Sequence, residues 1–132
     1  MIVRSVSELK DTERHASAAG WESTRLLMAA DGMGFSLHET IVHEGQDLTL
    51  QYRHHLEANF CIEGQGEVVE VATGKIYPIK PGSLYALDHH DAHIVRATRG
   101  PLRLVCVFNP ALNGREKHVN GGYEPTVTDA QA

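Results

Sequence analysis

The feature that most limits how this chain can fold is a series of short strand-like segments separated by turn residues. From Trp21 to Phe108, apolar or alternating segments are separated by glycine, proline, asparagine or aspartate about every eight to twelve residues. No amphipathic segment of helix length interrupts this series. Short strands at this spacing favour an antiparallel sandwich or barrel over alternating strands and helices. We therefore expect an all-β domain.

The segments predict nine strands and one short helix. Ser5 and Glu8 form the pattern of a capping box, which predicts a helix near Leu9. Glycines in segments 64–66 and 99–100 predict turns between neighbouring strands. The expected strands are residues 25–28, 35–43, 47–52, 58–63, 67–71, 75–79, 84–87, 93–98 and 102–108.

The length of the chain sets its domain organisation. A chain of 132 residues can bury a core of its own, and it has no room for a second domain. We expect a single domain over residues 1–132, with its core at about 22–110. A tail rich in glycine and asparagine follows at about 111–132.

Charge and hydropathy exclude several classes of partner. The net charge is −5, with 17 acidic and 12 basic residues and no basic run, so nucleic acid and anionic membranes are not expected partners. The N-terminal residues lack the apolar stretch of a signal peptide, and no segment reaches the ~18 apolar residues of a membrane span. We expect a cytoplasmic protein that binds small molecules or protein surfaces.

Histidines and cysteines differ in what they indicate. The nine histidines exceed an average composition, which motivates a search for a polar site. Of these, His54, His89 and His90 are expected at the surface. Cys61 and Cys106 each lie within an apolar run, where a thiol usually packs as a small core side chain, so a disulfide is not expected.

One spacing in the chain resembles a known barrel superfamily. Gly45, Gln51, Arg53, Glu57 and Gly64 are separated by five, one, three and six residues. This resembles the first signature of the cupins, small jelly-roll barrels in which two histidines precede the glutamate. Here glutamine and arginine occupy the histidine positions, and the glutamate is retained.

A second spacing resembles the other cupin signature. Gly74 and Gly82 keep the expected register, Pro81 is displaced by one position, and Tyr85 occupies the position of the histidine. Together the two spacings predict a cupin-type jelly-roll barrel with a short N-terminal helix and a C-terminal tail.

Oxygen and nitrogen donors remain at positions that suit a metal site. Glu57 keeps its place in the first signature, Tyr85 replaces the histidine of the second, and His93 follows eight residues later. A carboxylate, a phenolate and an imidazole suit Fe(II) better than they suit a soft thiolate metal. The loss of three histidines also allows a barrel that binds a ligand without any metal, and this alternative stays open here.

Longer motifs resemble one family of cupins, the ectoine synthases. The resemblance spans about residues 1–124 and includes His-Leu-Glu-Ala at 55–58 and Cys-Val-Phe-Asn-Pro at 106–110. The motif Tyr-x-Leu-Asp-x-His-Asp-x-His at 85–93 is more specific than the cupin spacing alone. Other matching segments are Trp21, 31–36 and 77–82.

The resemblance implies an activity and a set of site residues. Ectoine synthases are hydro-lyases that cyclise N4-acetyl-L-2,4-diaminobutyrate with loss of water to ectoine, a compatible solute made for osmoprotection under stress. The implied ligands for Fe(II), or another divalent metal, are Glu57, Tyr85 and His93. The implied substrate-binding residues are Trp21, Arg25, Thr40, Tyr52, His55, Phe108, Glu116 and His118. The catalytic candidates among them are Tyr52, His55, Glu116 and His118.

Two further readings of the sequence remain open. Because a fold does not determine a function, a metal-containing cupin could instead catalyse an oxygenation or an isomerisation of another small molecule. A metal-free cupin could bind a ligand as a sensor. Since cupins commonly associate through strand edges, we expect a homodimer in either case.

Overall fold

Antiparallel strands form most of the molecule. The computed structural model describes residues 1–114, Glu116, 118–119 and 122–123. Helix α1 is Val6–Leu9, and a short 3-10 helix follows β2 at Ala29–Asp31. The strands are β1 (His15–Ala18), β2 (Trp21–Leu27), β3 (Ser36–Val42), β4 (Asp47–Leu50), β5 (Leu56–Glu70), β6 (Ile76–Ile79), β7 (Leu84–Leu87), β8 (His93–Asn109), β9 (His118–Val119) and β10 (Gly122–Tyr123).

Eight of these strands form one curved sheet. Its order is β1-β2-β3-β8-β5-β6, with β4 also paired to β8 and β7 also paired to β5. Strands β9 and β10 pair only with each other. The arrangement confirms the predicted all-β, cupin-type barrel with a short N-terminal helix. Most of the expected tail at 111–132 lies outside the described residues.

Two of the predicted turns are absent because two strands continue through them. Residues 58–63 and 67–71 were expected to be separate strands, but β5 runs unbroken from Leu56 to Glu70. Residues 93–98 and 102–108 likewise belong to one strand, β8. The pairing of β5 with β8 shifts register between Cys61 and Gly66, which marks a bulge and a bend rather than a turn.

In this bend, Gly64 and Gly66 lie where the backbone of β8 comes close to that of β5. A Cβ atom on Gly64 would lie 2.1 Å from the carbonyl oxygen of Pro101, and one on Gly66 would lie 2.1 Å from that of Arg96. Gly64 also has a φ of 88°, which favours glycine. Two glycines separated by one residue indicate a turn when only the sequence is considered, because the opposing backbone that requires them is not visible there.

The N-terminal region matches its prediction in part. The Ser5 side chain accepts a hydrogen bond from the Glu8 backbone N–H, and the Glu8 carboxylate accepts one from the Ser5 N–H, so the predicted capping box is present. Strand β1 was not predicted, and β2 begins four residues before the expected strand at 25–28. Both strands are rich in polar residues, so they carry little apolar pattern.

An ion-pair cluster holds the N-terminal segment against the barrel. The Arg4 guanidinium donates to both carboxylate oxygens of Asp31 at 2.9 Å, and Arg14 Nη1 lies 3.3 Å from the same carboxylate. These hydrogen bonds hold the pKa of the Asp31 carboxyl well below its usual range. No helix in the described part of the chain has the length and apolar character needed to cross a membrane.

Polar side chains occupy much of the interior of the barrel. On β3 the inward face carries Ser36, His38 and Val42, all of them buried. Cys61 and Cys106 are also buried and have free thiols, as the sequence predicts. A barrel with this many polar groups inside is built around a site, since buried polar groups cost stability unless they are paired.

The close approach at Gly64 yields a prediction about stability. We expect Gly64→Ala to lower the free energy of unfolding by more than about 3 kcal/mol, because the added methyl group overlaps a backbone oxygen that cannot move alone. Gly100→Ala is the matched control: its φ of 73° is similar and nothing lies within 4 Å of the added atom. The control should lose only about 1–2 kcal/mol. Urea unfolding measures both, and equal losses would contradict the overlap.

Candidate active site

The barrel encloses a cavity. Its empty volume is about 510 Å³ when the space at its opening is included. Most of the predicted site residues are found in its wall. Those that line it are Trp21, Thr40, Tyr52, Glu57, Tyr85 and Phe108.

The three predicted metal ligands come from separate strands of the barrel. Glu57 lies near the start of β5, Tyr85 on β7 and His93 at the start of β8. The rings of Tyr85 and His93 have centroids 6.3 Å apart. The carboxylate of Glu57 lies near enough to the Tyr85 hydroxyl to contribute to the raised pKa of that tyrosine, of which burial is the larger cause. The structure therefore places Tyr85 near both Glu57 and His93. His93 does not line the cavity itself, but lines a neighbouring pocket to which Tyr85 also belongs.

The protonation of His93 suits a metal ligand. Its Nδ1 lies 2.9 Å from the backbone carbonyl oxygen of Asp91. A carbonyl oxygen only accepts, so Nδ1 carries the proton and the neutral ring has its lone pair on Nε2. That Nε2 atom is buried and has no hydrogen-bond partner among the residues that the structure describes. Burial lowers the pKa of this ring, which favours the neutral form that ligates metals.

Glu57 lacks the solvent that would stabilise its charge. Only 7% of its surface is exposed, and burial raises the pKa of its carboxyl to about 8. The nearby Asn59 side chain lowers this pKa and offsets a smaller part of the shift. A divalent cation between Glu57, Tyr85 and His93 would stabilise the carboxylate and satisfy the buried Nε2 atom. The donor set therefore fits a metal ion.

His55 and Glu116 do not line the cavity, but His55 packs against Phe108, which does. His55 is 1% exposed, and its ring lies edge-on to Phe108 with centroids 6.1 Å apart. Burial lowers the pKa of His55, and the charge of Glu116 opposes this shift. The Glu116 carboxylate accepts hydrogen bonds from the backbone N–H groups of Asn113 and Gly114 at 2.9–3.0 Å.

Two predicted site residues need separate comment. Arg25 is not among the residues that line the cavity, but it pairs with His38 in the β2–β3 register and contributes to the lowered pKa of that histidine. His118 belongs to strand β9 opposite Tyr123, and its side chain lies outside the described residues. Its proposed role therefore stays a prediction.

His90, which was expected at the surface, is half-buried. Its Nδ1 atom lies 2.8 Å from the carbonyl oxygen of Tyr52 and 3.0 Å from that of His55, so Nδ1 donates to both. The Gln51 side-chain amide donates in turn to the His90 carbonyl at 3.1 Å. His90 also has a φ of 55°, which is uncommon outside glycine. It therefore joins the two loops that lead into β5 and β8.

The other two surface histidines lie where they were expected. His54 and His89 are both exposed. His89, Asp88 and Asp91 offer ligand atoms that lie within 4.8 Å of one another. Two of these three residues are exposed, so water competes for the same positions. The more buried set of Glu57, Tyr85 and His93 is therefore the stronger candidate for a metal.

His38 and Asn59 are among the cavity residues that the sequence reasoning missed. Both line the cavity and are each 1% exposed. A signal for His38 was present, because the alternation of β3 places it on the same face as Ser36 and Thr40. Asn59 lies within an apolar run, and its inward direction follows only from the pairing of β5 with its neighbours.

Comparisons with known proteins agree with this architecture. The family model described as ectoine synthase matches residues 1–127. The L-ectoine synthase of Saccharophagus degradans is 47% identical over 130 residues, covering 98% of each chain. That of Desulfatibacillum aliphaticivorans is 48% identical over 131 residues, covering 98% of this chain and all of the relative.

A solved structure extends the agreement to three dimensions. The crystal structure of ectoine synthase from P. lautus matches with a TM-score of 0.85 at 47% sequence identity, covering 100% of this chain and 96% of that chain. A family match over almost the whole length, together with full-length relatives at nearly half identity, shows that this chain belongs to the ectoine synthase family.

Proposed function

We propose that this chain cyclises N4-acetyl-L-2,4-diaminobutyrate to L-ectoine with loss of water, at a metal ion held by Glu57, Tyr85 and His93. The observation that carries the metal site is the buried His93 Nε2 atom, without a partner in the described part of the chain, on a ring whose centroid lies 6.3 Å from that of Tyr85. The product is a compatible solute, so the reaction serves osmoprotection under stress.

Fe(II) is the proposed metal. The carboxylate, phenolate and imidazole donors are those that suit Fe(II) rather than a soft metal, although another divalent cation could occupy the same ligands. When bound, the ion supplies Lewis acidity toward the acetamide carbonyl of the substrate. The contribution of the chain is to hold these donors in a water-poor interior.

Positioning of the substrate falls to the inner face of the barrel. Arg25 is proposed to bind the substrate carboxylate, since a guanidinium matches a carboxylate with two parallel hydrogen bonds. Trp21 and Phe108 form apolar parts of the wall, and Thr40 offers a hydroxyl within it. Holding the substrate in a folded conformation contributes up to ~7–11 kcal/mol in favourable intramolecular cases. Exclusion of water also disfavours the reverse reaction.

Proton transfer is assigned to four of the predicted site residues. The attacking amine must lose protons and the departing oxygen must gain two to leave as water. His55 is held neutral by its lowered pKa, so it can accept a proton from the amine. Glu116 is proposed to exchange that proton with it, since its charge already favours the protonated form of His55. Tyr52, 6.3 Å from His93 between ring centroids, and His118 complete the proposed group.

A homodimer is the proposed assembly. Phe60 on β5 lies opposite Leu84 on β7, and these side chains are 45% and 65% exposed. Ile62, two residues further along β5, is 43% exposed. Apolar side chains clustered on one outer face are a common sign of association, and a second copy of the chain offers the same face in return.

The metal assignment predicts a specific loss in one variant. Glu57→Gln keeps the size of the side chain and removes its charge, so we expect the affinity for Fe(II) to fall by more than about 100-fold. Anaerobic incubation with N4-acetyl-L-2,4-diaminobutyrate should then yield no ectoine by chromatography. Glu63→Gln, on the same strand but exposed, is the control and should keep both properties. Retention of stoichiometric iron by Glu57→Gln, measured by mass spectrometry, would refute the ligand assignment.

The role of Arg25 predicts a change in substrate affinity. We expect Arg25→Ala to raise KM by about 10- to 100-fold with a smaller change in kcat, because a charge-assisted hydrogen bond to the carboxylate is lost. Arg99→Ala, at an exposed position, should leave KM unchanged. Steady-state kinetics over a range of substrate concentrations separates the two constants. An unchanged KM in Arg25→Ala would remove this residue from substrate binding.

The apolar outer face predicts the oligomeric state. We expect light scattering coupled to size exclusion to give the mass of two chains for the unaltered protein and of one chain for Leu84→Glu, because a buried charge opposes association. Met33→Glu places the same charge at a turn position that is 52% exposed, and it should remain a dimer. A dimeric Leu84→Glu variant would move the interface to another face.

A further inference from the structure

Two buried side chains in the cavity have polar atoms that the proposed mechanism does not use. Nε2 of His38 and Nδ2 of Asn59 have no hydrogen-bond partner within the part of the chain that the structure describes. Both residues are 1% exposed, and both line the cavity. Buried polar atoms are satisfied in most proteins because an unpaired one costs free energy. Two of them facing one cavity point to a ligand that pairs with both.

The two residues belong to one row across the sheet. His38 on β3 lies opposite Cys106 on β8, and Cys106 lies opposite Asn59 on β5. The same row continues to Arg25 on β2 beyond His38 and to Tyr85 on β7 beyond Asn59. Side chains directly opposite each other on paired strands share a face. The row therefore runs from the proposed carboxylate-binding residue to a proposed metal ligand.

The dimensions of the row suit a short molecule. Neighbouring strands lie ~4.8 Å apart, so His38 and Asn59 are separated by roughly 10 Å at the backbone, and their side chains converge because the sheet is curved inward. The ring of Phe108, 5.2 Å from that of His38 between centroids, bounds the space beside them. A chain of a few carbon atoms can contact both side chains while its carboxylate reaches Arg25.

The chemistry of the two atoms differs. An amide nitrogen such as Asn59 Nδ2 can only donate, so it requires an acceptor such as a carbonyl oxygen. His38 is neutral, because burial and the nearby Arg25 lower its pKa to about 3. In the tautomer that carries its proton on Nδ1, a neutral imidazole can accept a hydrogen bond at Nε2 from an amine without taking its proton. The two atoms thus match an amide carbonyl and an amine.

We propose that His38 and Asn59 bind the two reacting groups of the substrate. Asn59 Nδ2 donates to the acetamide oxygen next to Glu57 and Tyr85, and His38 Nε2 accepts from the 2-amino group. This inference rests on the proposed function and orders the substrate along the row, with its carboxylate at Arg25. Both residues are binding residues that orient the amine toward the acetamide carbon.

Two truncated ligands separate the two roles. 4-Acetamidobutanoate keeps the acetamide and lacks the amine, whereas 2,4-diaminobutyrate keeps the amine and lacks the acetamide. Calorimetric titration of the metal-loaded protein measures the affinity for each. We expect Asn59→Leu to weaken binding of 4-acetamidobutanoate about tenfold and to leave 2,4-diaminobutyrate within about twofold. His38→Phe should show the reverse pattern, and Gln65→Leu, at an exposed position of β5, should change neither.

Metal content and thermal stability exclude a structural role. We expect Asn59→Leu to keep its iron and to leave Tm within roughly 2 °C, because the loss of its favourable effect on the Glu57 carboxylate offsets the removal of a buried donor. Loss of iron in this variant would instead make Asn59 a support for Glu57, and it would overturn the proposal. Equal weakening of both ligands by either variant would also overturn it. Asn59→Val, with a smaller side chain, replaces Asn59→Leu if the latter fails to fold.

A turnover assay of the unaltered protein tests the proposed function separately. If the protein makes ectoine but the two variants do not have opposite effects on the two truncated ligands, only the inference about His38 and Asn59 is overturned. If the two variants have opposite effects on the two ligands but the protein makes no ectoine, the inference is supported. The substrate would then be another molecule that contains both an amide and an amine.

Discussion

The bend shared by β5 and β8 is the constraint on which the site depends. Tyr85 lies opposite Asn59 near the start of β5, whereas His93 lies opposite Glu70 at its end. In a straight strand those two positions would be about 36 Å apart. The rings of Tyr85 and His93 are nevertheless 6.3 Å apart between centroids. The paired strands β5 and β8 bend sharply at Gly64 and Gly66. This bend brings the two ends of β5 close together, so that both contribute to the same side of the barrel.

The polar interior that results has an energetic cost. Burial raises the pKa of Glu57 and lowers those of His38, His55 and His93, which means that each group is held in the neutral state in the absence of a partner. A core of aliphatic side chains in the same positions would be more stable. The barrel compensates elsewhere, through extensive strand pairing and an apolar cluster around Val95, Leu102 and Leu104.

The sequence was sufficient to predict the architecture and less informative about the details of the site. Alternation and turn spacing predict the strands, and the retained frame from Gly45 to Gly64 predicts the barrel. The same reasoning assigns Gly64 and Gly66 to a turn, whereas they lie within β5. Glycine is required both in turns and where two backbones approach closely, so the sequence alone does not distinguish the two cases. It also misses Asn59. Whether an isolated polar residue within an apolar run points into the barrel depends on its pairing with strands that are distant in the sequence. Motif resemblance, rather than periodicity, brought Glu57, Tyr85 and His93 together as candidates.

The position of His90 has a consequence for the wall of the cavity. Because one N–H group serves the carbonyls of both Tyr52 and His55, the loop before β5 and the loop before β8 are fastened to each other. The left-handed backbone at His90 is tolerated only while those bonds hold it in place. Tyr52 lines the cavity, so a change in the loop before β8 would be transmitted through His90 to the cavity wall.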